Sequence, residues 1–106
     1  MALYMTQFSY TSDAWAALVK SPADRRGPIS AAAQKAGGRV LSLHYCFGDY
    51  DGVVLFEAPN AAAAATVAVA AAAAGHLSSI KTTELFTVEE MLDILRNVGE
   101  PLQRPG

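Results

Sequence analysis

"FGDYDGVVLFEAPN" occupies Phe47 to Asn60, and its reading decides the fold. Two aspartates and a tyrosine lie between Gly48 and Gly52, and the chain then runs straight into Val53, Val54, Leu55 and Phe56. Asp49, Tyr50 and Asp51 could offer paired acid and base groups at a pocket mouth. The same residues suit a tight turn: Asp bonds nearby N–H groups, the flanking glycines allow positive φ, and Tyr50 can fold over the hairpin. The turn reading is preferred, because a hairpin tip leaves both carboxylates in water. Gly48, Asp49, Tyr50 and Asp51 then form a four-residue loop joining a strand over Arg39–Phe47 to a strand over Gly52–Ala58.

Pairing Phe47 with Gly52 sorts the two faces of this hairpin, since side chains alternate along a strand. It sets Tyr45 opposite Val54, Leu43 opposite Phe56, His44 opposite Leu55, Cys46 opposite Val53 and Ser42 opposite Glu57. One face holds Leu41, Leu43, Tyr45, Phe47, Val54, Phe56 and Ala58 and is expected to be the helix-packed core of two central strands. The other holds Ser42, His44, Cys46, Val53, Leu55 and Glu57. That mixture suits a surface packed on a partner's sheet around a partly polar cavity.

Upstream, Ala2–Tyr10 reads as a strand and Thr11, Ser12 and Asp13 as a helix start. Lys20, Ser21 and Pro22 interrupt that helix; Ser21 is expected as a new N-cap with Pro22 at the first helical position, and Gly27 and Pro28 force an adjustment before Ile29–Ala36. Gly37 and Gly38 end it. Downstream, Pro59 stops the strand, Asn60 caps an alanine-rich helix, and Gly75 terminates it. Leu77–Phe86 is a fourth strand. Thr87 and Glu90 then form a capping box, flanked by Phe86 and Met91 at staple positions, which opens a last helix over Val88–Val98. The order β-α-β-β-α-β plus a final helix predicts an α+β, ferredoxin-like domain over residues 1–98, with a four-stranded antiparallel sheet and helices on one face. Residues 99–106, with Gly99, Pro101, Pro105 and Gly106, form an irregular tail.

The totals agree with a single domain. The chain has 106 residues, 52% hydrophobic and only 17% charged, so part of its apolar surface is expected to face another subunit. A net charge of −2 leaves no footprint for nucleic acid, and Lys20, Arg25, Arg26, Lys35 and Arg39 read as a solvated helix face. Cys46 is the single cysteine; without an internal disulfide, a reducing, cytoplasmic setting is expected. The uncharged run Ala61–Ala74 spans roughly 21 Å as a helix, short of the roughly 30 Å hydrocarbon core, so it reads as a buried helix and no membrane is implied.

"HYCFGDYDGVVLFEAPN", followed by the alanine helix and "IKTTELFTVEEM", resembles the GYD-domain proteins, named for a Gly-x-Tyr-Asp signature that here is Gly48, Tyr50 and Asp51. The likeness covers about residues 3 to 98 and includes the "SPADR" segment, the "GG" before the second strand and "EAPN". It implies a ferredoxin-like fold of the dimeric α+β barrel type, without implying an activity. Fold relatives include cofactor-free monooxygenases, isomerases and haem-degrading proteins, and fold likeness alone does not transfer their chemistry.

Among chemical candidates, His44 is the strongest: on a partly polar face, an imidazole near neutral pKa could move a proton. Ser42, Cys46 and Glu57 share its face, and Tyr4 joins it if the Tyr4, Thr6, Phe8 side of the first strand faces the cavity. Cys46 is better read as a small hydrophobe than as a nucleophile. His44 and Cys46 supply only two ligands, so no metal site is expected, and no phosphate loop or dinucleotide motif calls for a cofactor. His76 is expected to meet the carbonyls that end the alanine helix. Two functions remain: a homodimer or higher homo-oligomer binding a small apolar or aromatic metabolite at the sheet and dimer cavity, or a cofactor-independent isomerase, decarboxylase or monooxygenase using His44. The first is favoured, because an enzyme needs a second polar group aimed at the same substrate.

Overall fold

A computed structural model describes residues 1–103; the end of the predicted tail, 104–106, lies outside the described residues. The elements are β1 (Ala2–Tyr10), α1 (Ser12–Lys20), α2 (Arg26–Lys35), β2 (Arg39–Tyr45), β3 (Gly52–Ala58), α3 (Ala61–Ala73), β4 (Leu77–Leu85) and α4 (Val88–Val98). The sheet is antiparallel, ordered β2-β3-β1-β4, which is the ferredoxin-like arrangement. β1 and β3 are central, whereas β2, expected in the middle, is an edge strand.

Alternation along the central strands builds the core. Tyr4, Phe8, Val54, Phe56 and Ala58 point to the helix side and are buried together with Ala64 of α3. Tyr4 lies opposite Phe56, and their rings stack with centroids 5.6 Å apart. Thr6 is the buried polar residue among them, and its hydroxyl is satisfied by that of Thr82 at 2.8 Å.

The hairpin departs from the expected register. Tyr45 pairs with Gly52, Leu43 with Val54 and Ser42 with Leu55, a slip of two residues that leaves these faces unchanged. A bulge at Leu41 then inverts the start of β2, so that Val40 lies opposite Phe56 and packs on the core. Leu41, expected in the core, is 47% exposed. Phe47 is fully exposed, because β2 ends at Tyr45 and the loop runs from Cys46 to Asp51.

The helix boundaries follow local chemistry. Pro22 disfavours helical backbone at Ser21, which ends α1 by giving its N–H to the Ala17 carbonyl instead of opening a new helix. α2 begins later, at Arg26, and holds Pro28 within its first turn, where a missing N–H breaks no intrahelical bond. Gly37, at φ 86°, supplies the left-handed residue after α2. Asn60 accepts from the Ala63 N–H to start α3, and Thr87 and Glu90 form the full capping box of α4.

The alanine helix, expected to be buried, is covered only in part, and the last helix is not packed on the others. α3 buries only Ala64 completely and leaves Val69 exposed, so one side of it meets the sheet and the other does not. α4 makes no substantial packing contact with any other element and carries its apolar residues outward: Val88 is 71% exposed, Leu95 58% and Val98 59%. Its projection stretches the chain to a radius of gyration of 17.1 Å, against about 13 Å for a compact chain of this size. Among the described residues no helix is long and apolar enough to cross a membrane.

Candidate functional site

The side chains that make α3 a good helix former also leave space beneath it. Alanine has no rotamers to lose and so favours helix, but it projects only a methyl toward the sheet. Ala68, Ala71 and Ala74 of this segment and Ala32 of α2 therefore roof a cavity of about 230 Å³ rather than filling one. Its floor is aromatic and branched: Phe8, Val54, Phe56 and Ile80 line it, with Ile29 and Val67 at the sides.

Polar groups gather at one end. Tyr10 lies opposite Leu77, and the His76 carbonyl accepts the Thr11 N–H at 3.0 Å, so Tyr10 and His76 share the same edge of the sheet. Both line the cavity, as does Arg25, the residue before α2. Burial, followed by the hydrogen bond to Tyr45 at 3.1 Å, pushes the Tyr10 hydroxyl far above the usual tyrosine range; the nearby Arg25 guanidinium offsets part of this. Tyr10 therefore stays a neutral hydroxyl. Among the described residues no aspartate or glutamate lines the cavity. Among the described residues Arg25 has no ion pair, whereas Arg26, Arg39 and Arg96 each have one.

Asp51 explains how this corner is held. Its carboxylate accepts the Tyr10 backbone N–H at 2.9 Å and the Trp15 indole N–H at 3.1 Å. Its own N–H donates to the Phe8 carbonyl at 2.8 Å. Asp51 thus ties the hairpin to β1 and α1 and is half-buried, where open water was expected. Trp15 meets Tyr10 edge to face at 5.1 Å, which closes an aromatic corner beside Tyr45. The glycines act otherwise than expected: neither Gly48 nor Gly52 has positive φ. Gly52 is required because a Cβ there would run into the Phe8 ring. Asp49 is exposed and Tyr50 half-buried at the tip.

The residues singled out in the sequence are not brought together. His44 is exposed on edge strand β2, opposite Val53. Glu57 is engaged by Arg39, at 2.8 Å from Nε and 2.7 Å from a terminal nitrogen, and so does not orient His44. Ser42 is half-buried opposite Leu55. Cys46 lies past the end of β2, exposed, with its thiol directed at the Tyr50 carbonyl at 3.1 Å. Tyr4 is in the core on the other side of the sheet, where burial and the charge of Glu84 raise its pKa. Arg25 and His76, which line the cavity, carried no separate signal in the sequence. One read as part of a solvated basic segment and the other as a helix-end histidine.

The family profile described as the GYD domain matches residues 4–95 of the chain. No curated protein matches it. Among solved structures, the crystal structure of MtbAldR is similar with a TM-score of 0.52 at 16% identity, covering 81% of this chain and 52% of that one. The chain thus spans about half of that protein, and at this identity the likeness concerns the fold alone.

Proposed function

Because this chain belongs to the GYD domain family, we propose that it is a homo-oligomeric α+β protein whose subunits each bind a small apolar or aromatic metabolite under α3. The observation that carries this reading is the cavity of about 230 Å³, with aromatic and aliphatic walls and a few polar groups at one end. Small-molecule sites characteristically combine an apolar lining with a few placed polar groups. The site lies on the helix-covered side of the sheet, opposite the face that carries His44. Nothing in the geometry favours the enzyme alternative, since the ion pair of Glu57 with Arg39 removes the group that would orient His44.

The assembly half rests on two uncovered surfaces. Among the described residues no helix covers the sheet face holding Leu3, Met5, Val53, Leu55 and Leu85, and α4 holds out an apolar stripe that makes no substantial contact with any other element. An isolated helix of 11 residues is marginal in water, so α4 needs a surface. A second copy supplies one of opposite charge: Glu89 lies on α4, while Lys81 lies opposite Gln7 on the open face. Light scattering at micromolar concentration should report a dimer or larger, and a monodisperse monomer would sink this half. For the cavity, Ala71→Leu should abolish binding of a small aromatic probe such as phenylacetamide, measured by calorimetry, while leaving the circular dichroism spectrum unchanged. Undiminished binding would show that the probe sits elsewhere.

A further inference from the structure

The geometry points to a narrower ligand class: a small aromatic or branched aliphatic carboxylate, its hydrocarbon part under α3 and its carboxylate at the Arg25 end. This rests on the cavity being the ligand site. Arg25 brings a permanent positive charge and several fixed N–H donors to a cavity that, among the described residues, no carboxylate side chain lines. Asp51 has its carboxylate given over to the Tyr10 N–H and the Trp15 indole, Asp24 is paired with Arg26, and among the described residues neither forms an ion pair with Arg25. Tyr10 remains protonated and adds a hydroxyl, and His76 lines the cavity at the same end of the sheet. The far end has no comparable group: Thr6 and Thr82 satisfy each other there. The cavity is therefore polarised along its length, apolar at one end and cationic at the other. That asymmetry matches an amphipathic monoanion and disfavours an amine, whose charge would meet Arg25. A cavity of about 230 Å³ has room for a hydrocarbon part of roughly one ring with a short side arm.

Three isosteric probes separate the possibilities: phenylacetate, its neutral amide phenylacetamide, and the cation phenethylamine. Calorimetry on the intact protein should give phenylacetate at least about tenfold tighter than the amide, with no detectable binding of the amine. Arg25→Gln should remove that advantage, bringing phenylacetate down to the level of the amide while the amide itself is unchanged. Arg25→Lys, which keeps the charge but loses the fork of donors, should retain part of it. Equal binding of phenylacetate and phenylacetamide to the wild-type protein would overturn carboxylate selection and leave the cavity reading intact. An equal loss for both probes in Arg25→Gln would overturn it as well, since it would mark a structural role for Arg25. Failure of all three probes to bind, or binding unaffected by Ala71→Leu, would overturn the cavity reading and this inference together.

Discussion

The two faces of the sheet are built from the same alternating strands, yet they differ in what covers them. On the helix side, Tyr4, Phe8, Val54 and Phe56 are all at or below 5% exposure. On the other side, Leu3, Met5, Val53 and Leu55 are only half-buried, screened by sheet neighbours alone. The residue types are alike in hydrophobicity, so composition does not separate the faces; the placement of α1, α2 and α3 does. An apolar face left without cover in one chain is the surface on which the proposed assembly would form, and the covered face, roofed by alanine, retains the space that its partner helices do not fill.

Truncation on the two faces should therefore cost different amounts, and the largest expected effect is at Phe56. Phe56→Ala removes a ring that is 2% exposed and stacked on Tyr4, and should lower unfolding stability by about 3–5 kcal/mol in denaturant titration. Its neighbour Leu55 provides the contrast. Leu55→Asp should leave the fold intact by circular dichroism but shift the sedimentation coefficient to that of a monomer. Should Leu55→Asp remain fully assembled, the open face would not be the subunit interface and the comparison would lose its meaning. Gly52→Ala follows in size, because its methyl meets the Phe8 ring in the covered face; overpacking of this kind costs about 1–3 kcal/mol. A measured change below about 0.5 kcal/mol would mean that Phe8 yields freely and that the corner is loosely packed.

Much of this was legible in the chain because it depends on local rules. Asn60, Thr87 and Glu90 mark helix ends through side-chain oxygens that accept nearby backbone N–H groups, Gly75 does so through its positive φ, and the alternation of β3 survives a two-residue slip without changing face. The bulge at Leu41 was not legible, because one unpaired residue leaves no mark in an apolar run such as Val40, Leu41 and Leu43. Nor was the capture of Asp51 by Tyr10 and Trp15, partners separated from it by 41 and 36 residues. The candidate site was the least legible. A cavity is a deficit of volume between elements, and the alanines that create it are also the best helix formers, so they read first as helix. His44 drew attention as a titratable group on an apolar strand, but the edge position of β2 leaves it in water.

The long-range bonds of Asp51 set the next prediction. Asp51→Ala leaves the Tyr10 N–H and the Trp15 indole without their acceptor in a half-buried corner, a loss of about 1–2 kcal/mol. Trp15 fluorescence should shift to the red as the indole is freed from Tyr10, well before global unfolding. If stability fell without that spectral change, Asp51 would act through the turn alone and not as the tie between hairpin, β1 and α1.

The smallest effect is expected from the acidic residue that looks most strongly paired. Arg26 holds the Asp24 carboxyl at about 2, below its ordinary 3.8, chiefly through side-chain hydrogen bonds and then through its backbone N–H. A carboxyl with a lowered folded pKa contributes stability above its unfolded pKa and loses it as pH falls, here between about 4 and about 2. Asp24 and Arg26 are only two residues apart, however, and their side chains are 59% and 73% exposed. The pair can form in the unfolded chain nearly as well, so the two pKa values move together and little of the shift becomes folding stability. Asp24→Asn should thus leave the melting temperature at pH 7 unchanged within error, although NMR titration of the folded wild-type protein should give a low carboxyl midpoint. A clear drop in melting temperature would mean that the loop before α2 is ordered only by folding, and that the Arg25 end of the cavity depends on it.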